Sequence, residues 1–432
     1  MQNIQNSSVA IRIFYKRHMV ILCVVPIISI FLVLGCSKQD GDTITLRYMT
    51  WDSATGLEPE RKIIQRFEAT HPNIKVKLEP NSQGYEDKII TSLVAGKPPD
   101  VFLWWNFTKL AELGGLEDLT PYLENCSDFS VDMFYPNLVK YNSVKGHIYG
   151  LPKDFTARVI FYNKDLFDQV GLPYPKDDWT WEEFLEIAKK LTHDDQYGFY
   201  VFAGTYHLQP WVWSNGGDLV SPDGNQVIGY LDSPETIEAI KFYTDLYVRH
   251  RVSPSGGAAA SLGGAQNMFL TGKLAMMDNG RWPVLKLKKS KIRFGTVLPP
   301  HPQGKRLVTV LHSAGQVMAT IGKHKSQAWE LLKAMSDEEA QKIRAEAGWA
   351  LPAMPALTEK MGLDRDPVES AFIRAVEYAT ITPCFLRTSD WWEYFDKPIT
   401  DAIDKVLLGK GTVEEVLPQT AQEIEARLRR RR

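Results

Sequence analysis

Apolar and polar residues follow two different periods along this chain, and the switches between them mark its elements. Residues 44–48 alternate strictly, as a half-buried strand does. Over 58–70, Ile63, Ile64 and Phe67 recur at helical spacing, and the run ends before Pro72. Alternation returns over 74–78 and helical spacing over 85–95. A third strand pattern covers 100–103 and a third helix 108–113, stopped by Gly114 and Gly115. Strand–helix–strand repetition at this spacing predicts an α/β fold with a mostly parallel sheet and right-handed crossovers.

Further along, 158–162, 294–298 and 315–321 have strand patterns. Thr180, with Glu183 three residues on, reads as the N-cap of a helix carrying Phe184, Leu185, Ala188 and Leu191. Ser233 and Pro234 open another helix, and from 326 onward the chain is mainly helical. Residues 210–218 read as a Trp- and Gly-rich loop, 253–264 as mobile surface, and the terminal arginine run as a frayed, solvated tail.

Composition narrows the class. A chain of 432 residues, 44% hydrophobic and 24% charged, is too long for one core and predicts two lobes. That balance excludes a disordered, collagen-like or polytopic membrane protein. A net charge of −2 offers no basic field for nucleic acid. Arg12, Lys16 and Arg17 are the only charges in the first 35 residues, so without them the net moves from −2 to −5. Those residues combine a basic stretch with a 16-residue apolar run over 19–34, then Gly35 and Cys36. These are the parts of a secretory signal, and the run falls short of the ~20 residues that span a bilayer. A retained anchor is the alternative. Beyond Cys36, only Cys126 and Cys384 remain, expected to be two independent buried thiols, with a disulfide between them, which an oxidising exterior allows, as the alternative. No CxxC or HExxH pattern occurs, so neither a metal nor a cofactor is expected.

Ligands of parallel sheets sit beyond the carboxyl ends of the strands. There the sequence places Trp51 and Asp52, then Gln83, then Trp105 and Asn106. Tryptophan faces suit the C–H faces of a pyranose ring, whose hydroxyls need convergent polar groups. Of the 12 tryptophans, Trp51, Trp105, Trp211, Trp213, Trp282 and Trp349 stand beside or within two residues of Gly, Asn, Asp, Pro or Arg and are the candidates. Trp179, Trp181 and Trp329 read as helix packing, while Trp104, Trp391 and Trp392 fit either role. Core packing is the competing reading for each candidate alone.

Several strings in order carry a resemblance. They are "GKPPDVFLWWN", "LAELGGLEDLTPYL", "GHIYGLPKDFTARVIFYNKDLFDQVGL", "WTWEEFLEIAKKLT", "WSNGGDLVSPDG", "FLTGKLAMMDNGRWPV", "EAGWALPAMPAL" and "VLLGKGTVEEVL". Together they resemble the extracellular solute-binding proteins of bacterial sugar-importing ABC transporters, the group of maltose- and trehalose-binding proteins. Val33-Leu34-Gly35-Cys36 resembles a lipobox, which implies a diacylglycerol thioether on Cys36; a plain cleaved signal is the other possibility.

The resemblance implies a two-lobed periplasmic-binding-protein fold, each lobe a mostly parallel sheet flanked by helices, with several hinge crossovers. Residues 1–35 would be signal and 36–42 tether. Lobe 1 would take 43–152 with 280–335, and lobe 2 would take 153–279 with 336–432. The expected partners are a mono- or oligosaccharide, an ABC permease and, through the lipid, a membrane; the protein would be an exported monomer without catalysis. Carried over by position, ligand contacts would also include Gln83, Asn106, Asp154, Phe155, Gly217, Asp218, Asn279, Arg281, Arg387, and His312 with Ser313 in a loop. An exported glycoside hydrolase using acids such as Asp52, Asp154 or Asp218 is the rival. The same fold binding a phosphorylated sugar, glycerol phosphate or a polyamine is another, with Arg281 and Arg387 keeping anionic ligands open.

Overall fold

The computed structural model describes residues 43–53 and 56–431, so the expected leader and Cys36 lie outside the described residues. Strands β1 (Ile44–Thr50), β2 (Ile74–Pro80) and β3 (Val101–Trp104) come first, then a small ladder of β4 (Ser143–Val144) and β5 (His147–Ile148). β6 (Leu151–Ala157), β7 (Val159–Asn163), β8 (Met276–Asn279), β9 (Phe294–Val297) and β10 (Leu311–Met318) follow. One sheet runs β2-β1-β3-β10-β6 and another β8-β7-β9.

In the first sheet β1 pairs in parallel with β2 and β3, through helices Leu57–Thr70 and Tyr85–Val94, as the periodicity predicts. Gly96, at φ 68°, follows the second helix in the left-handed conformation that glycine adopts without strain. β10 inserts antiparallel between β3 and β6. The second sheet differs from the mostly parallel one expected for each lobe. β8 and β9 both run against β7, and none of these pairings needs a crossover helix.

Three connections join the sheets: Arg158 alone between β6 and β7, residues 298–310 between β9 and β10, and the chain leaving helix Ser370–Tyr378. They are bonded to one another. Arg158 N donates to Val310 O at 3.0 Å and Thr309 N to Tyr378 O at 3.1 Å. Thr309 Oγ1 donates to Arg158 O at 2.9 Å.

The expected lobe boundaries shift accordingly. β9, within the 280–335 segment expected in lobe 1, lies in the second sheet. Helix Glu338–Glu346, expected in lobe 2, is held to helix Leu57–Thr70 of the first lobe by the buried Arg344–Glu60 pair. Two charges far apart in sequence leave no period for a sequence reading to detect.

Local expectations fare unevenly. Thr180 and Glu183 form a capping box on helix Trp181–Lys190, and Ser233 caps Pro234–Val248. The loop expected at 210–218 is largely helix Thr205–Ser214, with Pro210 inside it. Burial overrides propensity there, since eight of its ten residues are buried. Within 253–264 lies helix Gly256–Ser261, capped by Ser255 and burying Ala259. The final helix, Val413–Arg431, takes in the arginines expected to fray as far as Arg431.

Candidate functional site

A cavity of about 700 Å³ opens between the two sheets, beyond the carboxyl ends of β1 and β3. Nine expected ligand contacts line it: Trp51, Trp105, Asp154, Phe155, Arg281, Trp282, His312, Ser313 and Trp349. His312 and Ser313 stand on β10 rather than in a loop, so their positions are fixed by the sheet.

The other expected contacts lie outside the lining. Trp211 and Trp213 are 2% and 3% exposed, packed in the core of their helix. A Cβ on Gly217 would meet Thr236 Oγ1 at 2.4 Å, so this glycine serves close packing. Asp218 accepts from Arg387 Nη1 at 2.8 Å and from Trp213 Nε1 at 2.9 Å, which occupies both members of that ion pair. Asn279 ends β8 and its side chain accepts from Gly280 N. Asn106 is buried at the N-cap of helix Phe107–Glu112, and Gln83 is exposed before helix Tyr85–Val94. Strand-end position brought Gln83 and Asn106 forward, local aromatic context Trp211 and Trp213, and the family resemblance the others; tertiary packing places all of them outside the lining.

The lining also holds residues that the sequence reading passed over: Glu60, Lys153, Arg158, Tyr206, His207 and Arg344, with Asp52 noted only as a possible acid. Lys153 has a structural signal. Opposite it the β10 register shifts between Ala314 and Gly315, a bulge that leaves Lys153 unpaired on β6. Its Nζ lies 3.2 Å from Asp52, 3.8 Å from Glu60 and 3.9 Å from Asp154. Burial alone would lower the lysine's pKa, but these carboxylates outweigh it and raise it. Burial raises the Asp154 carboxyl, opposed by Lys153. Glu60 is already committed, accepting from Arg344 Nε and Nη2 at 2.7 and 2.8 Å.

On the opposite wall Arg158 donates to both oxygens of Asp278 at 3.0 and 2.8 Å, and His207 Nδ1 lies 2.8 Å from the same carboxylate. Burial, reinforced by Arg158, lowers His312 to about 3, so its ring is neutral at ordinary pH. Its Nε2 is buried without a hydrogen-bond partner among the described residues. A neutral imidazole can donate to or accept from a hydroxyl through such an atom.

The aromatic faces are braced from behind. Trp105 packs edge-on against Phe385 at 5.2 Å and Trp392 at 5.6 Å, and its Nε1 donates to Glu86 at 2.8 Å. Trp51 meets Tyr85 at 5.2 Å, also edge-on. At the mouth, Trp282 and Trp349 are 64% and 46% exposed, unusual for residues that normally bury. By contrast, Trp179, Trp181 and Trp329 are buried as packing residues, and Trp104 and Trp391 join them. Cys126 and Cys384 are both free thiols; Cys384 is buried as expected, whereas Cys126 is only half-buried.

A two-lobed α/β body with a polar, tryptophan-lined interlobe cavity is the setting for comparison with known proteins. The family model for bacterial extracellular solute-binding protein matches residues 52–342. The chain belongs to the bacterial extracellular solute-binding protein family. Among similar solute-binding proteins is the maltotriose-binding protein of Pyrococcus abyssi (strain GE5 / Orsay), 26% identical over 85% of this chain and 79% of that one. The galactooligosaccharide-binding protein of Bacillus subtilis (strain 168) is 24% identical over 87% of each chain. A solved ABC substrate-binding protein from Listeria monocytogenes, in complex with cycloalternan, is 26% identical with a TM-score of 0.77. That match covers 89% of this chain and 98% of the other.

Proposed function

We propose that this solute-binding protein captures an extracellular carbohydrate between its lobes and hands it to a membrane ABC permease. The observation that carries the reading is the pairing, in one cavity, of braced tryptophan faces with Asp154 and the unpartnered Nε2 of His312. Stacking supplies apolar contact to a sugar ring, while the carboxylate and the neutral imidazole meet its hydroxyls. The sugars named for the relatives support the same class of ligand. The cations that left anionic solutes open favour a neutral ligand instead, because Arg281 pairs with Glu369, and Arg387 pairs with Asp218 outside the cavity. Trp51, Trp105, Asp154, His312, Trp282 and Trp349 are the proposed contacts.

Isothermal calorimetry against maltotriose, galacto-oligosaccharides and monosaccharides should find one class binding at micromolar Kd or tighter, about −8 kcal/mol. Chromatography of the bound sugar should recover it intact. Hydrolysis products would replace the binding-protein reading with the glycosidase one, and the absence of any sugar binding would remove the carbohydrate.

We further propose anchoring through a lipid on Cys36, supported by the lipobox-like Val33–Cys36 string. Two or more acyl chains hold a protein stably at a bilayer where one does not. The Cys36→Ser variant should therefore shift from the membrane fraction to the soluble fraction. Membrane retention equal to wild type would refute lipidation at this site.

A further inference from the structure

We propose that Arg281 is a positioning residue that fastens the cleft mouth across the two lobes, rather than a ligand contact. The inference goes beyond the carbohydrate reading and does not depend on it. Arg281 stands two residues past β8, a second-lobe strand, yet two of its bonds cross to the first lobe. Its backbone N donates to Thr156 Oγ1 on β6 at 2.7 Å. Its Nη1 donates to Gly348 O at 3.0 Å.

Gly348 belongs to the first lobe. It lies just past helix Glu338–Glu346, which Arg344 ties to Glu60. It adopts φ 77°, a left-handed conformation that favours glycine, and its N donates to Ala345 O. A Cβ added there would come within 3.3 Å of Leu285, a second-lobe side chain, so the lobes are in close contact at this point.

The remaining guanidinium atoms hold Arg281 in place. Nε and Nη2 form a forked pair with Glu369 at 2.7 and 2.9 Å, and Lys288 Nζ reaches the same carboxylate at 2.8 Å. Glu369 is itself 1% exposed, and it precedes helix Ser370–Tyr378, which leads into the third interlobe connection. The planar guanidinium thus divides its donors between an anchoring carboxylate and a carbonyl of the other lobe, a geometry that lysine cannot reproduce.

The two most exposed tryptophans flank this bond, Trp282 next to Arg281 and Trp349 next to Gly348. The Trp282 ring folds back over Gly280, where a Cβ would meet it at 2.5 Å. Arg281 therefore sets the distance between aromatic faces carried by different lobes. Its own donors are engaged with protein acceptors, which leaves the tryptophans to meet the ligand.

The test measures lobe separation in the ligand-free, detergent-solubilised full chain. Spin labels are placed at Lys62→Cys and Glu186→Cys, on helices of opposite lobes with side chains 60% and 62% exposed, in a background with Cys23, Cys36 and Cys126 replaced by serine. Cys384 is buried and stays in place. Double electron–electron resonance should give a narrow distribution for the parent. Arg281→Ala should raise the share of longer distances about tenfold, the shift expected from one lost charge-assisted bond. Arg281→Lys keeps the charge opposite Glu369 and should shift the distribution in the same direction with little change in melting temperature. Should Arg281→Ala fail to fold, the lysine variant decides. Distances in Arg281→Lys that superimpose on the parent, or a parent distribution already as broad as the variant's, would overturn the proposal.

Discussion

Glu60→Gln should lower the stability of the folded protein by about 3–5 kcal/mol, the usual cost of removing one partner from a buried ion pair. Glu60 and Arg344 are 1% and 2% exposed and bonded at 2.7 and 2.8 Å between helices Leu57–Thr70 and Glu338–Glu346. Glutamine keeps the shape but leaves the guanidinium charge buried without its counter-ion. Tyr48 and Lys153, which also face Glu60, lose their charged partner in the same step. Urea denaturation at neutral pH measures the effect; an unchanged midpoint would show that the pair contributes nothing net.

The same carboxylate predicts a pH dependence. Burial pushes its pKa up, but the Arg344 charge and hydrogen bonds, with Lys153 and Tyr48, outweigh that and hold it at about 2. A group depressed on folding stabilises the protein fully above its unfolded value, about 4.3, and loses that contribution as pH falls through the folded value. Wild-type stability should therefore drop between about pH 4.5 and 2 through this group, and the Glu60→Gln profile should be flatter in that window.

Asp154→Asn should weaken ligand binding about tenfold to a hundredfold, the loss expected when a charged hydrogen-bond acceptor becomes neutral. The side chain faces the cavity at 27% exposure, and its only ion-pair neighbour among the described residues, Lys153, stands 3.9 Å away and is shared with Asp52 and Glu60. Burial raises the carboxyl's pKa, so its charge is a cost to the folded protein that a ligand donor would relieve. Removing that charge should leave stability unchanged or raise it slightly, unlike the Glu60 variant. Calorimetry with the tightest-binding sugar of the panel, beside a thermal melt, separates the two effects. Affinity equal to wild type would take Asp154 out of the ligand contacts.

Much of the first lobe, and the start of one second-lobe helix, was legible because that order is local. Alternation over 44–48 and 74–78, helical spacing between them and the Thr180–Glu183 box each record one element's own burial or cap. The placement of Trp51 and Trp105 beyond strand ends followed from the rule for parallel sheets. Trp211 and Trp213 carried a similar local signature, aromatics in a stretch with Pro210 and Gly216 at its ends, yet pack inside a helix that proline would argue against. Tertiary burial outweighed local propensity there, and a single sequence contains no measure of that competition.

The sequence by itself determined the α/β alternation, the repeated placement of aromatic and polar residues after strands, and the leader-like first 35 residues. Those features depend on neighbours a few positions apart. Only the tertiary structure decided which charges meet. It brought Lys153 to Asp52, Glu60 and Asp154 through a bulge, tied Arg344 to Glu60 across 284 positions, and drew Arg387 away from the cleft to Asp218. Side-chain charges carry no period and interact over a few ångströms of space, so their partners become fixed only when the lobes pack.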